Sequence, residues 1–321
     1  MDSQHYFNPY SNQTFFGFFA QLFIRLWGWI SGEHSSLATD EVQMLVLAGV
    51  AASSSIVGPF LVLRKMTMLA NSLSHTILVG IVIAFVWTYG TSPNIKEYGN
   101  PINIHTLTIA ALIMGIVTTF LTELLTRGAN LQEDASTGIV FTSLFALGII
   151  AVTLLTRNAH VGTEAVMGNV DALQPSDCLI VSAVLGINAF LVIAFFKEFT
   201  ITTFDLGLSR AFGISPTLFS YLLMTQVSLT AISAYRAVGV LMLLAFITGP
   251  TLTAQRVTSS LKGNILLSII IGIAASLVGV ALSRHLLTVY DIALSTSGVV
   301  VCVIVLFYSA TAIWSRKTSY K

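Results

Sequence analysis

Charge is scarce in this chain: only 9% of its 321 residues are Asp, Glu, Lys or Arg, against a hydrophobic fraction of 55% and a mean hydropathy of +0.85. A soluble domain carries roughly 25% charged residues, so the composition excludes one. The formal net charge of +1 leaves no basic face, which excludes a nucleic-acid role. Cysteine is equally scarce. Cys178 and Cys302 both fall at or within apolar segments, so neither a disulfide framework nor a Cys/His zinc pattern is available. No Gly-Lys dipeptide occurs anywhere, which removes a nucleotide-binding P-loop, and neither HExxH nor GxSxG is present. The membrane interior also lacks paired carboxylates, so intramembrane hydrolysis has nothing to run on. The start MDSQHYFNPY lacks the basic region of a cleaved signal peptide, and the N-terminus is expected to be retained.

What the chain does have is apolar runs recurring about every 30 positions, each long enough to cross a hydrocarbon core. The expected fold is an all-α integral membrane protein, a polytopic bundle of about eight to ten transmembrane helices. Residues 1–41 read as an N-terminal extension. Within it, the apolar stretch 14–30 carries Gln21 and Arg25 on one face beside Trp27 and Trp29, as an interfacial or a spanning helix does. Residues 42–321 form the membrane domain, with spans expected at about 42–63, 68–88, 106–125, 136–156, 178–196, 216–235, 237–255, 264–284 and 291–313. The pair parted only at Tyr235 and Arg236 predicts a tight hairpin.

Orientation follows from the basic residues. Alternating the loops puts Arg64, Lys65, Arg127, Lys197, Arg210, Arg256, Lys262, Arg316, Lys317 and Lys321 on one side. With Arg25 left aside, Lys96, Arg157, Arg236 and Arg284 fall on the other, so the first group is cytosolic. Two loops are long enough to bind something: an external one at 157–177, carrying Glu164, Asp171 and Asp177, and a cytosolic one at 197–215. The second holds a short amphipathic stretch ending at Gly213 before Pro216, suited either to docking a partner or to joining two spans.

One histidine stands out. His75 lies about 15 Å along a helix from Lys65, near the middle of a core about 30 Å thick, and Asn71 shares its face. An ionisable group at that depth costs a few kcal/mol unless it meets a partner, water or an ion. Neutral imidazole suits zinc, iron or manganese, and an amide carbonyl can add to it. Two ligands do not close a tight site, so the pair reads as a weak transit site for an ion that must also leave. Elsewhere, Ser53, Ser54, Ser55, Gly58 and Pro59 interrupt one span. Thr248, Gly249, Pro250, Thr251 and Thr253 interrupt another, where a helix break is expected at Gly249 and Pro250. Close helix packing is the alternative use of such small residues. Glu123 and Arg127 form a structural i,i+4 pair, and His105, His160 and His285 read as solvated external histidines.

Three stretches together resemble the ABC-3 family, the membrane permeases of bacterial ATP-driven importers for manganese, zinc and iron. LVLRKMTMLANSLSHTILVG at 61–80 is similar to the pattern LRRMALLGDALSHAVLPG, with Arg64, Met66, Leu69, Leu73, Ser74, His75 and Gly80 matching. EDASTGIVFTSLFALGI at 133–149, followed by VMGNVDAL at 166–173, resembles the family's external loop. FDLGLSRAFGI from Phe204, with AVGVLMLLAFITGPTLTA ending at Ala254, resembles DPEFARALGI and VGVLLVSALLVIPAATA. The likeness runs from about residue 42 to 310.

The resemblance implies a permease pair bound to two cytosolic ATPase subunits and fed by an extracytoplasmic metal-binding protein, in the bacterial cytoplasmic (inner) membrane. No cofactor is bound permanently; a divalent metal ion is the cargo. The coupling helix maps onto 205–214, with Asp205, Ser209 and Gly213 as the ATPase contact, and Glu164 and Asp171 as candidates toward the binding protein. The family's path Asp and His map onto Asn71 and His75. Because Asn brings no negative charge, this chain is expected to pair with a second, non-identical permease that keeps the Asp. Val79 replaces a motif proline, and Ser209 a coupling-helix alanine. Competing readings are a siderophore or cobalamin importer permease and a stand-alone secondary cation transporter, for which intramembrane carboxylates are missing.

Overall fold

The computed structural model describes residues 8–32, 37–68, 72, 76, 79–80, 82–83, 104–156, 170 and 173–318. Its helices, in chain order, are α1 (Phe15–Ile30), α2 (Thr39–Leu63), α3 (Ile104–Gly128), α4 (Glu133–Thr156), α5 (Pro175–Ala194), α6 (Phe196–Phe204), α7 (Leu206–Ala211), α8 (Pro216–Gln255), α9 (Leu261–Tyr290) and α10 (Thr296–Thr318). The described residues contain no strand, as an all-helical membrane bundle requires. By length and composition α2, α5, α9 and residues 296–315 can each cross a membrane, and Ile113–Thr126, Ala135–Ala151 and Leu241–Gln255 are shorter apolar helices. The expected span at 68–88 falls largely outside the described residues.

The bundle is built round α2. Its sequence is apolar or small on every side, which is the pattern of a helix buried all round. α5, α8 and α9 pack against it. The run Ala51 to Ser55 is buried throughout and lets neighbours approach closely: Gly272 of α9 lies against Ala51 and Ser55, and Gly58 lies against the Ile247 carbonyl and Thr251 of α8. At the Arg64 end, Phe60, Phe199 and Phe219 lock α2, α6 and α8 together, with ring centroids 5.5 and 5.2 Å apart along the row.

The expected hairpin is present, and its turn falls at Gly239. Arg64 bonds Ser220 and Ser53 meets Thr230, so α8 sets out antiparallel to α2. A straight continuation would carry residue 247 beyond the start of α2 at Thr39, yet Ile247 and Thr251 lie against Gly58. The chain therefore doubles back at Gly239, whose φ of 73° belongs to the region glycine alone enters freely. The break expected at Gly249 and Pro250 does not occur; helical conformation runs through both. Pro250 forfeits only one backbone bond there. The Thr251 and Thr253 hydroxyls donate to the carbonyls of Ile247 and Gly249 at 2.9 and 2.7 Å, so the polar side chains flanking the proline are satisfied within the helix itself.

At the opposite end, α9 runs six residues past the span end expected at 284 and stops where Asp291 turns left-handed at φ 53°. This end of α9 carries two anchors. Arg284 pairs with Asp40 at the start of α2, and His285 Nδ1 accepts from the Phe15 backbone N–H at 3.2 Å. His285 is therefore a structural acceptor for α1 and not a solvated external group. Arg25 of α1 pairs with Glu41, which also accepts from the Tyr10 hydroxyl at 3.1 Å and the Ala38 N–H at 2.8 Å. Burial, with the Glu41 carboxylate beside it, pushes the Tyr10 phenol well up from its ordinary value, so it remains a donor. The N-terminal extension is thus stapled to the Asp40 end of the bundle.

Candidate functional site

The site that the structure builds in full lies at the Arg64 end. Arg64 follows α2 and spreads its guanidinium over three hydroxyls: Thr203 Oγ1 at 3.1 Å, Thr202 Oγ1 at 2.7 Å and Ser220 Oγ at 3.2 Å. It therefore fixes α6 against α8 by a fan of charge-assisted hydrogen bonds. Thr202 and Thr203 can present that way because their hydroxyls also donate back into α6, to Glu198 and Phe199 carbonyls.

α7 follows at once. Asp205 caps it, accepting from the Leu208 N–H at 2.9 Å, and Gly213 ends it at φ 73°, where the Ile214 N–H returns to the Ser209 carbonyl at 2.9 Å. Ser215 then caps α8 and Pro216 takes its first position. The expected element at 205–214 is present as a helix of six residues with a cap and a stop. Of its named residues, Asp205 and Gly213 define the ends and Ser209 is turned inward, fully buried. The outward face belongs to Phe204 (63% exposed), Leu206, Leu208 and Phe212 (68% exposed). Large apolar side chains grouped on one exposed face are the mark of a surface that meets another protein or the membrane.

A second constellation lies within the bundle, where α2, α5 and α8 meet. Asn188 donates both amide hydrogens, to Ser53 Oγ at 2.8 Å and Thr230 Oγ1 at 2.7 Å, and the two hydroxyls are 3.2 Å apart. Thr230 passes its own proton to the Gln226 carbonyl at 2.8 Å. All four residues are buried, and among the described residues the Asn188 carbonyl oxygen, the Ser54 hydroxyl and the Gln226 amide have no partner. A screen for charged residues passes over Asn188 and Gln226; a screen for amides inside apolar runs would have found both. In membrane interiors such bonds contribute about 0.6–1.7 kcal/mol each, enough to set the register of three helices.

The helix after Lys65 is described at a few positions only. Ser72 and Thr76 are buried, the Thr76 and Thr118 hydroxyls are 2.9 Å apart, and Gly80 sits on the Ala110 carbonyl and Met114, so this stripe of every fourth residue faces α3. Asn71 and His75 lie outside the described residues, as do Glu164 and Asp171. Among the described residues no group of three His, Cys, Asp or Glu side chains comes together as a metal site.

Residues 40–315 match the family described as the ABC 3 transport family. A "Probable metal transport system membrane protein" of Chlamydia muridarum (strain MoPn / Nigg) is 40% identical over 306 residues, covering 95% of this chain and 93% of that protein. The "Manganese transport system membrane protein MntD" of Bacillus subtilis (strain 168) is 34% identical over 247 residues, covering 73% of this chain and 79% of that protein. Among solved structures, "PsaBC from Streptococcus pneumoniae in complex with Fab" superposes with a TM-score of 0.69 at 25% identity, covering 84% of this chain and 89% of that one.

Proposed function

The chain belongs to the ABC 3 transport family, and from that premise we propose that it is the permease subunit through which an ATP-driven importer passes divalent manganese, zinc or iron into the cytosol. It is a multi-pass membrane protein and the permease of its system, not the ATPase. The observation that carries the proposal is the α6–α7 surface. A chain with no P-loop of its own presents Phe204, Leu206, Leu208 and Phe212 on a capped, braced helix at its basic end. An ATPase subunit docked there would move α6 and α7, and Arg64 would carry that movement into α2 and α8. The external binding protein, a second permease and the bacterial inner membrane complete the assembly in this reading. The siderophore or cobalamin alternative has less support, because it calls for no metal ligand such as His75 within an apolar run.

Two expected outcomes test it. Cells in which this chain is deleted should lose uptake of at least one of the three metals, measured as cellular manganese, zinc and iron after depletion; unchanged content of all three would sink the proposal. Arg64→Ala should reduce uptake about tenfold or more while the chain still reaches the membrane. It removes charge-assisted bonds of about 1.5–3 kcal/mol each. Arg64→Lys should restore little, since one ammonium cannot span three hydroxyls. Full uptake in Arg64→Ala would show that α6 needs no brace.

A further inference from the structure

α5 and α9 both pack on α2 but scarcely on each other, and the space between them is a groove of 670 Å³. Its walls are Val192, Ile193, Ile265, Leu266 and Ile269, apolar and in part openly exposed. Its mouth is at the basic end, cytosolic by the excess of Lys and Arg there. Two lysines stand at that mouth, Lys197 at the start of α6 and Lys262 in the first turn of α9, together with Glu198 and Phe196. Lys262 Nζ rests 5.4 Å from the centroid of the Phe196 ring. Neither lysine takes part in an ion pair within the described residues, and both are exposed. Apart from the Phe196 ring, nothing among the described residues offsets Lys262, a cation in the first turn of a helix, where it opposes the helix dipole.

We propose that this groove holds one anionic phospholipid of the cytosolic leaflet, with an acyl chain laid between α5 and α9, its phosphate between Lys197 and Lys262, and the hydroxyls of a glycerol headgroup donating to Glu198. The charges match: two ammonium groups and one carboxylate leave the mouth with a single positive charge, which a monoanionic headgroup neutralises. A protein helix in the same groove would have to bring carboxylates to the two lysines and fill an open apolar trough. A lipid supplies both a phosphate and a chain from the membrane already present.

The test uses the full chain assembled with its transporter partners. The complex is purified in mild detergent and weighed intact by native mass spectrometry, then placed in nanodiscs of phosphatidylcholine with added phosphatidylglycerol or phosphatidylethanolamine. Retention of phosphatidylglycerol is expected, with affinity falling about fivefold for each of Lys197→Gln and Lys262→Gln, from about 1 kcal/mol per lysine at a membrane surface. The Lys→Arg versions should keep it. Leu266→Trp, which fills the groove, should displace the lipid and leave subunit stoichiometry unchanged. Equal retention of phosphatidylethanolamine, indifference to both lysines, or loss of the permease pair in Leu266→Trp would overturn the proposal, the last by giving the groove to a second permease subunit. None of these readouts depends on which metal is carried, or on whether metal is carried.

Discussion

Metal uptake is expected to fall to background in a His75→Ala variant, while the chain is recovered in its assembled transporter at the usual yield. A divalent ion entering the middle of a bilayer must exchange hydration waters for protein donors, and no Asp, Glu, Lys or Arg stands near the centre of the predicted core spans. Imidazole is the strongest neutral ligand available to it, and the Asn71 carbonyl alone is a poor substitute. Alanine is a better helix former than histidine, so the substitution should not weaken the segment itself. Uptake of radioactive manganese, zinc and iron into cells carrying the variant reads the outcome, and normal uptake of all three would remove His75 from the path. The complementary change, Asn71→Asp, should tighten metal binding and slow release, because it adds the negative charge that this chain lacks. If a second, non-identical permease already supplies that charge, only the assembled pair transports; a transport-competent assembly of this chain with itself would end that reading.

The apolar spans were legible because membrane burial leaves a strong local trace: α2, α5 and the two arms of α8 begin or end within a few residues of the apolar runs that predict them. The α7 element was legible for a different reason. Asp205, Gly213 and Pro216 are a cap, a left-handed stop and a first-turn proline, each with its own residue preference. Gly239 was less so. Tyr235 and Arg236 mark the interruption in hydropathy, but the reversal falls at the nearby residue able to adopt φ 73°. Pro250 misled because a proline signals a missing donor, whereas whether a helix breaks depends on what surrounds it. What the local pattern could not carry is pairing at a distance. Arg25 finds Glu41 16 residues on, Ser53 finds Asn188 135 residues on, and Arg284 finds Asp40 244 residues back. Each residue alone looks like a stray polar group at or inside an apolar helix.

That last pair makes the largest stability prediction. Arg284→Ala is expected to cost about 3–5 kcal/mol, because it strands a carboxylate that has no exposure to solvent. Among the described residues Asp40 Oδ1 would keep only the Asn8 side-chain amide at 3.0 Å, and Oδ2 already has no partner there. The asymmetry of the pair sharpens the test. Arg284 keeps 23% exposure and borders a pocket of 260 Å³ beside Thr39, Gln43, Ser283 and Thr296, whereas Asp40 has none, so the larger penalty falls on Asp40. Asp40→Asn combined with Arg284→Ala should therefore recover most of the loss, since a neutral amide needs no counterion. By the same reasoning Arg25→Ala should cost less than Arg284→Ala: Glu41 would still accept from Tyr10 and from the Ala38 N–H. The unfolding midpoints of the purified single and double variants in one detergent close the cycle. Equal losses in Arg284→Ala and in the double variant would mean that the pair contributes through Arg284 packing alone, and that the charge buried on Asp40 is not what holds the N-terminal staple against α2 and α9.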